Sequence, residues 1–424
     1  MTHSFENANF DAAGQPIGTK ETADALRRRL KRANRAGSFK ALALVAPLLL
    51  FLTVTFLLPI ALLLARSVDN KEIGQVLPLT VEQLASWDMN ALPSDQVFQA
   101  FAADLRVAPR DRVAEVGKRL NYYSSGFRTL LNKTAREADT LAPGTARQQL
   151  VAISEKWGDV GTWKVIKQAS PSLTDYYLLK AVDLTRDAGG HIATATDDAI
   201  YVDVIVRTLV ISLTVTVFCV ILGYPLAYLL ATTKPSYARW LMMLVLLPFW
   251  TSLLVRTTAW LVLLQSNGVV NSILSRLGLV SAPLELVHNR VGVLIAMTHI
   301  LLPFVVLPVH AVMTGIPDVY WRAASSLGAP AHKAFLRVYL PLTMPGVGAG
   351  ALLVFILALG YYITPALVGG PKDQMLSYFI AYFVNQSSNW GMAAALAVVL
   401  LALVVCLYLT LVVAYGRGRT GAKA

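Results

Sequence analysis

Six long apolar runs alternate with polar segments along the chain, and each is long enough to form a membrane-spanning helix. Crossing the hydrocarbon core takes about 20 mainly apolar residues in helical form. The predicted spans cover residues 41–65, 201–230, 240–265, 291–312, 347–370 and 391–415. We therefore expect an all-α membrane protein with six transmembrane helices.

The longest polar segment, 68–200, separates the first span from the second. Apolar residues recur in it at helical spacing, as at Val97, Phe101 and Leu105, which predicts a largely helical soluble domain. A segment of about 130 residues can bury a core of its own. The predicted organisation is a tail (1–38), a first transmembrane helix (39–67), an inserted domain (68–200) and a five-helix core (201–424).

Another ordered polar segment, 315–345, lies between the fourth and fifth spans. Asp318 is a plausible N-cap for a short helix, and Gly328 stands where a helix ends with positive φ. A second, amphipathic helix is predicted to follow, with Pro341 and Pro345 ending it. On physical grounds alone, an amphipathic segment lying on the membrane surface is an equally good interpretation.

Composition and charge agree with a membrane protein whose positive residues lie on one side of the bilayer. The chain is 55% hydrophobic and 15% charged, whereas soluble domains carry about 25% charged residues. Much of the net charge of +12 lies beside the ends of the apolar runs. Positive clusters before the first span, at Lys234 and Arg239, and at Arg417 and Arg419 place both termini and segment 315–345 in the cytoplasm. Because these clusters beside the spans account for much of the net charge, nucleic-acid binding is not needed to explain it.

Segment 315–345 also resembles a known sequence pattern. Ala323-Ala324, Gly328 and Val338-Tyr339-Leu340-Pro341 match the EAA loop of ATP-binding-cassette (ABC) import permeases, with Arg322 where that family has glutamate. From residue 201 onward, further stretches resemble the polyamine-type (spermidine/putrescine-like) permeases of the binding-protein-dependent transport family. These stretches are Tyr224-Pro225-Leu226-Ala227, Pro248-Phe249-Trp250-Thr251-Ser252 and Thr364-Pro365-Ala366-Leu367.

The resemblance implies the six-helix permease fold in a bacterial inner membrane. It implies a second permease subunit as a heterodimer partner, two ATPase subunits that bind ATP and Mg, and a periplasmic solute-binding protein. The solute would be a polyamine, an opine or a related amine. The residues expected to couple to the ATPase are Arg322, Ala323, Ala324, Ser325, Gly328, Ala329, Leu340 and Pro341. The inserted domain is not explained by the resemblance; it is either a docking surface for the binding protein or a stabilising spacer.

Catalytic motifs are missing from the sequence. It has no HExxH, GxSxG or P-loop pattern, so we expect a non-enzymatic subunit with no cofactor of its own. Cys219 and Cys406 lie inside apolar runs and suggest neither a disulfide nor a metal site.

Ionisable and aromatic residues at membrane depth are the candidates for a substrate pathway, because buried charge is costly there. They are Trp250, Arg256, His299, Tyr361, Tyr362 and Thr364. Each has a plainer alternative: Arg256 could reach the membrane surface, His299 could bond to another helix, and Trp250 could belong to an interfacial aromatic belt.

Acidic residues are absent from the interior of the six predicted spans; Asp203 lies at the end of one. A cation inside the membrane would want an acidic or aromatic partner. Either an external protein selects the solute, or the solute is not strongly cationic. A different class of function, a receptor or scaffold with a ligand-sensing outer domain, is also compatible with the sequence.

Overall fold

The computed structural model describes residues 43–142, 144–186, 191–195 and 199–420, with side chains described as far as residue 410. The predicted tail 1–38 lies outside these residues, as do the side chains of Arg417 and Arg419. The chain divides into two units, Met1–Leu63 and Leu64–Ala424. Each unit is considered by itself.

The described residues of the first unit belong to an apolar helix, the candidate span Ala43–Ala65. The helix contains a π-turn at Thr53–Leu57, ahead of Pro59. The hydroxyls of Thr53 and Thr55 donate to the carbonyls of Leu49 and Phe51 at 2.8 and 2.6 Å. Hydroxyl groups satisfied within their own helix are compatible with hydrocarbon surroundings.

The inserted domain is helical, which confirms the expectation from periodicity. Its helices are Lys71–Val76, Pro78–Ala85, Asp95–Val107, Arg110–Leu120, Phe127–Arg136, Ala146–Ile153, Val160–Ala169 and Tyr176–Lys180, with a short hairpin of Leu184–Arg186 and Ile192–Thr194. Phe98, Phe101, Trp157 and Trp163 fill its core with ring centroids 4.7 to 5.5 Å apart. Burial of these large aromatic surfaces is the main force that stabilises such a domain.

Six candidate spans follow the predicted order. Four are continuous helices, Leu253–Arg276 is interrupted by a turn between Leu264 and Val269, and one is a bent pair. The six are Ala43–Ala65, Tyr201–Thr232, Leu253–Arg276, Arg290–Leu301 with Pro303–Thr314, Ala331–Gly360 and Trp390–Thr410. We call these the first to sixth spans. The fourth bends by 41° at Pro303, whose nitrogen cannot donate a helical hydrogen bond. Leu376–Asn385, between the fifth and sixth spans, is an apolar helix too short to cross.

The prediction of one continuous helix over 240–265 is wrong. A helix Pro235–Leu246 gives way to a 3₁₀ turn, Leu247–Trp250, and the next helix begins at Leu253. Pro248 lies inside that turn and cannot continue the α-helical ladder. The third span therefore starts later than predicted and extends through the helix Val269–Arg276.

The prediction that Pro341 and Pro345 end the helix after Gly328 is also wrong. The helix begins at Ala331, widens into a π-turn at Phe335–Tyr339 and continues without a stop to Gly360. Pro341 comes just after the π-turn, in the first turn of the α-helix that follows. A π-turn changes the hydrogen-bond pairing there, so the missing proline N–H does not break the helix.

Close backbone contacts hold the second, fourth and fifth spans together. A Cβ placed on Gly350 would lie 3.0 Å from Cα of Val305, and one on Gly346 would lie 3.0 Å from the carbonyl oxygen of Pro308. Small residues at helix interfaces let backbones approach in this way. The absence of a side chain at these two glycines therefore sets the spacing between the fourth and fifth spans.

We predict that Gly350→Ala destabilises the folded protein by about 1–3 kcal/mol, because its methyl group overpacks a rigid backbone. Thermal unfolding of the detergent-solubilised chain should show a lower midpoint. Gly360→Ala, at the end of the same helix with no neighbouring atom within 4 Å, is the matched control and should leave the midpoint unchanged. Equal midpoints for the two variants would contradict the close contact.

Candidate functional site

The segment that connects the fourth and fifth spans is built around a glycine turn. The helix Val319–Ser326 ends where Gly328 adopts φ of +79°, and the amide of Ala329 donates to the carbonyl of Ala324 at 3.1 Å. Glycine accepts this left-handed conformation at no steric cost. Asp318 stands at the N-cap position but makes no side-chain capping bond, so the capping expected from the sequence is not formed. We call 318–330 the coupling segment.

The coupling segment exposes apolar side chains that this chain does not cover. Leu327 is 88% exposed and Val319 61% exposed, and Tyr320 is also exposed. Among the predicted coupling residues, Arg322, Ala323, Ser325, Gly328 and Pro341 are exposed, Ala329 and Leu340 are half-buried, and Ala324 is buried. Adjacent exposed apolar side chains on a connecting segment mark a contact surface for another molecule.

An aromatic cluster attaches this segment to the membrane helices. It consists of Tyr224, Tyr228, Phe335 and Tyr339. The Phe335 ring lies 5.6 Å from that of Tyr228 and 6.3 Å from that of Tyr224. The Tyr224 hydroxyl lies 3.1 Å from that of Thr343. The helix that follows the coupling segment is thus packed against the C-terminal half of the second span.

A polar cluster forms between the third span, the fourth span and the end of the fifth. We define it as Arg256, Trp260, His299 and Tyr361. Trp260 Nε1 donates to His299 Nδ1 at 3.1 Å, and the two rings are 5.2 Å apart. The helix that carries Arg256 contacts both the helix of His299 and the short helix that follows Tyr361. Three predicted pathway residues, Arg256, His299 and Tyr361, therefore lie on adjoining elements.

The polar cluster is not closed off within this chain. His299 is exposed, Arg256 and Tyr361 are half-buried, and Nε of Arg256 has no hydrogen-bond partner among the described residues. Polar groups at membrane depth avoid lipid and face a cavity or another protein. The open side of the cluster therefore needs a polar cavity or another molecule against it.

The remaining predicted pathway residues lie apart from this cluster. Trp250 is 91% exposed and ends the 3₁₀ turn, and Tyr362 is exposed beside Tyr361. Thr364 is fully buried, and its hydroxyl lies 3.0 Å from that of Thr257. In this chain Thr364 thus joins the third span to the short helix Ile363–Val368.

Sequence reasoning missed several residues that hold these elements in place. Asp373, which is 5% exposed, accepts from Nε of Arg290 at 3.1 Å, and its other oxygen accepts from the amide of Gly370. Arg290 and Asp373 are distant in sequence, so no spacing could have linked them. Thr257 directly follows the candidate residue Arg256, but nothing in the sequence indicated its partner.

Comparison with known proteins identifies the family. Residues 204–419 match the model of the "binding-protein-dependent transport system inner membrane component" family, which is half of the chain. The chain belongs to this family.

Its described residues hold no group of three or more His, Cys, Asp or Glu side chains arranged to bind a metal ion.

Named permease proteins are similar to half or more of the chain. The chain is 34% identical over 259 residues to the spermidine/putrescine transport system permease protein PotB of Haemophilus influenzae, covering 58% of this chain and 89% of the relative. It is 35% identical over 226 residues to the inner membrane ABC transporter permease protein YdcU of Escherichia coli, covering 50% and 70%. A bacterial alginate ABC transporter, solved in complex with an alginate pentasaccharide-bound periplasmic protein, is 21% identical and covers 48% of this chain and 76% of that one, with a TM-score of 0.41.

These findings confirm the resemblance to polyamine-type permeases. The protein is a non-catalytic permease subunit of an ABC importer and a multi-pass inner-membrane protein. ATP hydrolysis in such importers is carried out by a separate subunit.

We predict that Thr257→Val or Thr364→Val alone lowers stability by about 1–3 kcal/mol, because each leaves a buried hydroxyl unpaired. The double variant should recover much of the loss, since both partners become apolar. Thermal unfolding in detergent measures this cycle. Additive losses would contradict the pairing of the two hydroxyls. Unchanged stability with lost uptake for Thr364→Val would instead indicate that Thr364 serves the transported solute.

Proposed function

We propose that this chain forms half of the translocation pore of an ATP-driven importer for a polyamine or a related amine-type solute, such as an opine. The similarity to the spermidine/putrescine permease of Haemophilus influenzae carries this proposal, because it covers 89% of that protein. The other half of the pore would be a second permease subunit. Two ATPase subunits with ATP and Mg, and a periplasmic binding protein, would complete the assembly.

The coupling segment is the proposed contact with the ATPase. Its exposed Leu327 and Val319 offer an apolar surface, and Gly328 permits the turn that presents it. The helix Ala331–Gly360 would carry displacement of this surface into the membrane. In this assignment the coupling segment and both chain termini are cytoplasmic, and the inserted domain is periplasmic, in line with the positive residues beside the spans.

The polar cluster is the proposed lining of the solute pathway in this subunit. Trp260 and Tyr361 present aromatic surface, and His299 lies exposed on the fourth span. Aromatic faces attract cations, whereas Arg256 repels them. The binding protein would therefore do most of the selection of a cationic solute, and this cluster would only line the path along which the solute crosses.

One observation favours a second candidate, an importer of a non-cationic solute. Arg256 keeps an unpartnered Nε among the described residues and has no acidic neighbour within ion-pair distance there. A guanidinium group at membrane depth suits a neutral or anionic solute better than a polycation.

Gly328→Val tests the coupling role. A β-branched residue is strained at positive φ, so the turn should distort. ATP-dependent uptake in proteoliposomes with the partner subunits should then fall at least tenfold, and less ATPase should co-purify with the chain. Gly278→Val is the matched control, because Gly278 also has positive φ (+68°) with no atom within 4 Å but lies outside the coupling segment. Unchanged uptake by Gly328→Val would reject the coupling role, and absence of any ATPase from mildly solubilised complexes would favour the receptor or scaffold alternative.

Arg256→Gln separates the two solute classes. If the solute is a polyamine, removal of a positive charge lowers repulsion, and uptake of labelled spermidine should be unchanged or faster. If the solute is neutral or anionic, its uptake should fall about tenfold or more, as expected for loss of a charged hydrogen bond. Arg276→Gln, at an exposed position, is the control and should change neither. Spermidine uptake that falls with Arg256→Gln would contradict a purely repulsive role.

A further inference from the structure

A pocket of about 380 Å³ lies where the inserted domain meets the beginning of the sixth span. Its walls come from residues just after the first helix, from the helix Arg110–Leu120, from Tyr177 and from the turn before Trp390. Neither the polar cluster nor the coupling segment contributes to it. The pocket is therefore distinct from both elements of the proposed transport mechanism.

A buried arginine forms one wall without a counter-ion. Arg119 is 8% exposed, and its Nε and Nη2 donate to Oδ1 of Asn70 at 3.0 and 2.8 Å. Its guanidinium group lies 4.2 Å from the centre of the Tyr177 ring. Among the described residues no carboxylate lies within ion-pair distance of Arg119, and its Nη1 has no hydrogen-bond partner. Burial lowers the pKa of this guanidinium, which reflects the cost of an unpaired cation.

Three residues that line this pocket each carry a buried polar atom without a partner among the described residues. The atoms are Oδ1 of Asp69 and the hydroxyl oxygens of Tyr122 and Tyr177. Each such atom costs about 1–3 kcal/mol while it remains unpaired. The set contains two hydroxyl donors beside a free guanidinium N–H, and one carboxylate acceptor, so a ligand that satisfied all of them would carry both an acidic and a basic group.

The surrounding charges support the same ligand type. Arg112 and Glu115 pair with each other at 3.1 Å. The other charged residues of the pocket are Arg66, Lys71, Lys118 and Arg119 against Asp69 and Glu72, an excess of positive charge that favours an acidic oxygen group. Asp69 provides a local site for a cation within that positive field.

We propose that this pocket binds a zwitterionic group in which a phosphate or carboxylate is joined by a short link to an ammonium. Arg119 and the hydroxyls of Tyr122 and Tyr177 hold the acidic oxygens, and Asp69 holds the ammonium. Two sources present this chemistry: the headgroup of phosphatidylethanolamine and a free zwitterionic solute. Arg66 directly follows the first span and Trp390 begins the sixth, a position at the level of lipid headgroups.

The test uses the full chain, purified in detergent and delipidated. Thermal unfolding is followed with short-chain phosphatidylethanolamine, short-chain phosphatidylglycerol (which lacks the ammonium) and free O-phosphoethanolamine. Stabilisation by phosphatidylethanolamine alone identifies the lipid as the source, whereas stabilisation by O-phosphoethanolamine without the lipid identifies a soluble ligand. Equal stabilisation by both lipids overturns the role of Asp69, and no stabilisation by any probe overturns the proposal.

Variants assign the binding to these atoms. Tyr122→Phe and Tyr177→Phe remove hydroxyls that have no partner in the described fold, so unliganded stability should hold or rise while each apparent affinity falls about tenfold. Asp69→Asn should weaken phosphatidylethanolamine binding and leave phosphatidylglycerol binding unchanged. Tyr123→Phe is the control, because its hydroxyl faces Thr174 at 3.4 Å. Affinities unchanged in all three pocket variants would place the ligand elsewhere and overturn the proposal.

Discussion

The continuity of the helix Ala331–Gly360 is the constraint on which the packing around the coupling segment depends. Its first turns follow the exposed coupling segment, and its later turns lie against the fourth span at Gly346 and Gly350. The π-turn at Phe335–Tyr339 keeps the helix unbroken at Pro341, and the helix continues through Pro345 to Gly360. Because packed interiors resist compression, displacement of the coupling segment would be passed on to the helix instead of being absorbed in a loop. Contacts of Phe335 with Tyr224 and Tyr228 extend that connection to the second span.

Sequence predicts the elements whose signal is local. Each apolar run is long enough to span by itself, so the six spans could be counted before any contact was known. Positive φ at Gly328 was likewise predictable, because one residue decides it. The helix through Pro341 was not, because the two prolines indicate a stop and only the neighbouring π-turn reverses that signal. The break at Leu247–Trp250 was missed for the opposite reason: the apolar run continues across it, while Pro248 interrupts the hydrogen bonding.

Sequence indicates only some members of the polar cluster, for a related reason. The cost of burying charge identifies Arg256 and His299 as exceptional from sequence alone. Their partners come from other helices, and sequence spacing does not indicate that Trp260 donates to His299. Thr364 shows the limit most clearly. The sequence made Thr364 a candidate pathway residue, and in the fold its hydroxyl meets that of Thr257 in a fully buried contact. A hydroxyl looks the same in sequence whether it faces a solute or another helix.

The inserted domain was left with two interpretations, and its packing makes them compatible. Tyr177, Tyr201 and Leu396 share one buried cluster, which joins the last helix of the insertion to the second and sixth spans. A Cβ on Gly391 would lie 2.2 Å from the Tyr177 ring, so the insertion is fitted directly against the beginning of the sixth span. A spacer would hold the ends of the spans through this contact, and a docking surface would need it to stay fixed relative to the spans. Both interpretations would therefore depend on the contact between Tyr177 and Gly391.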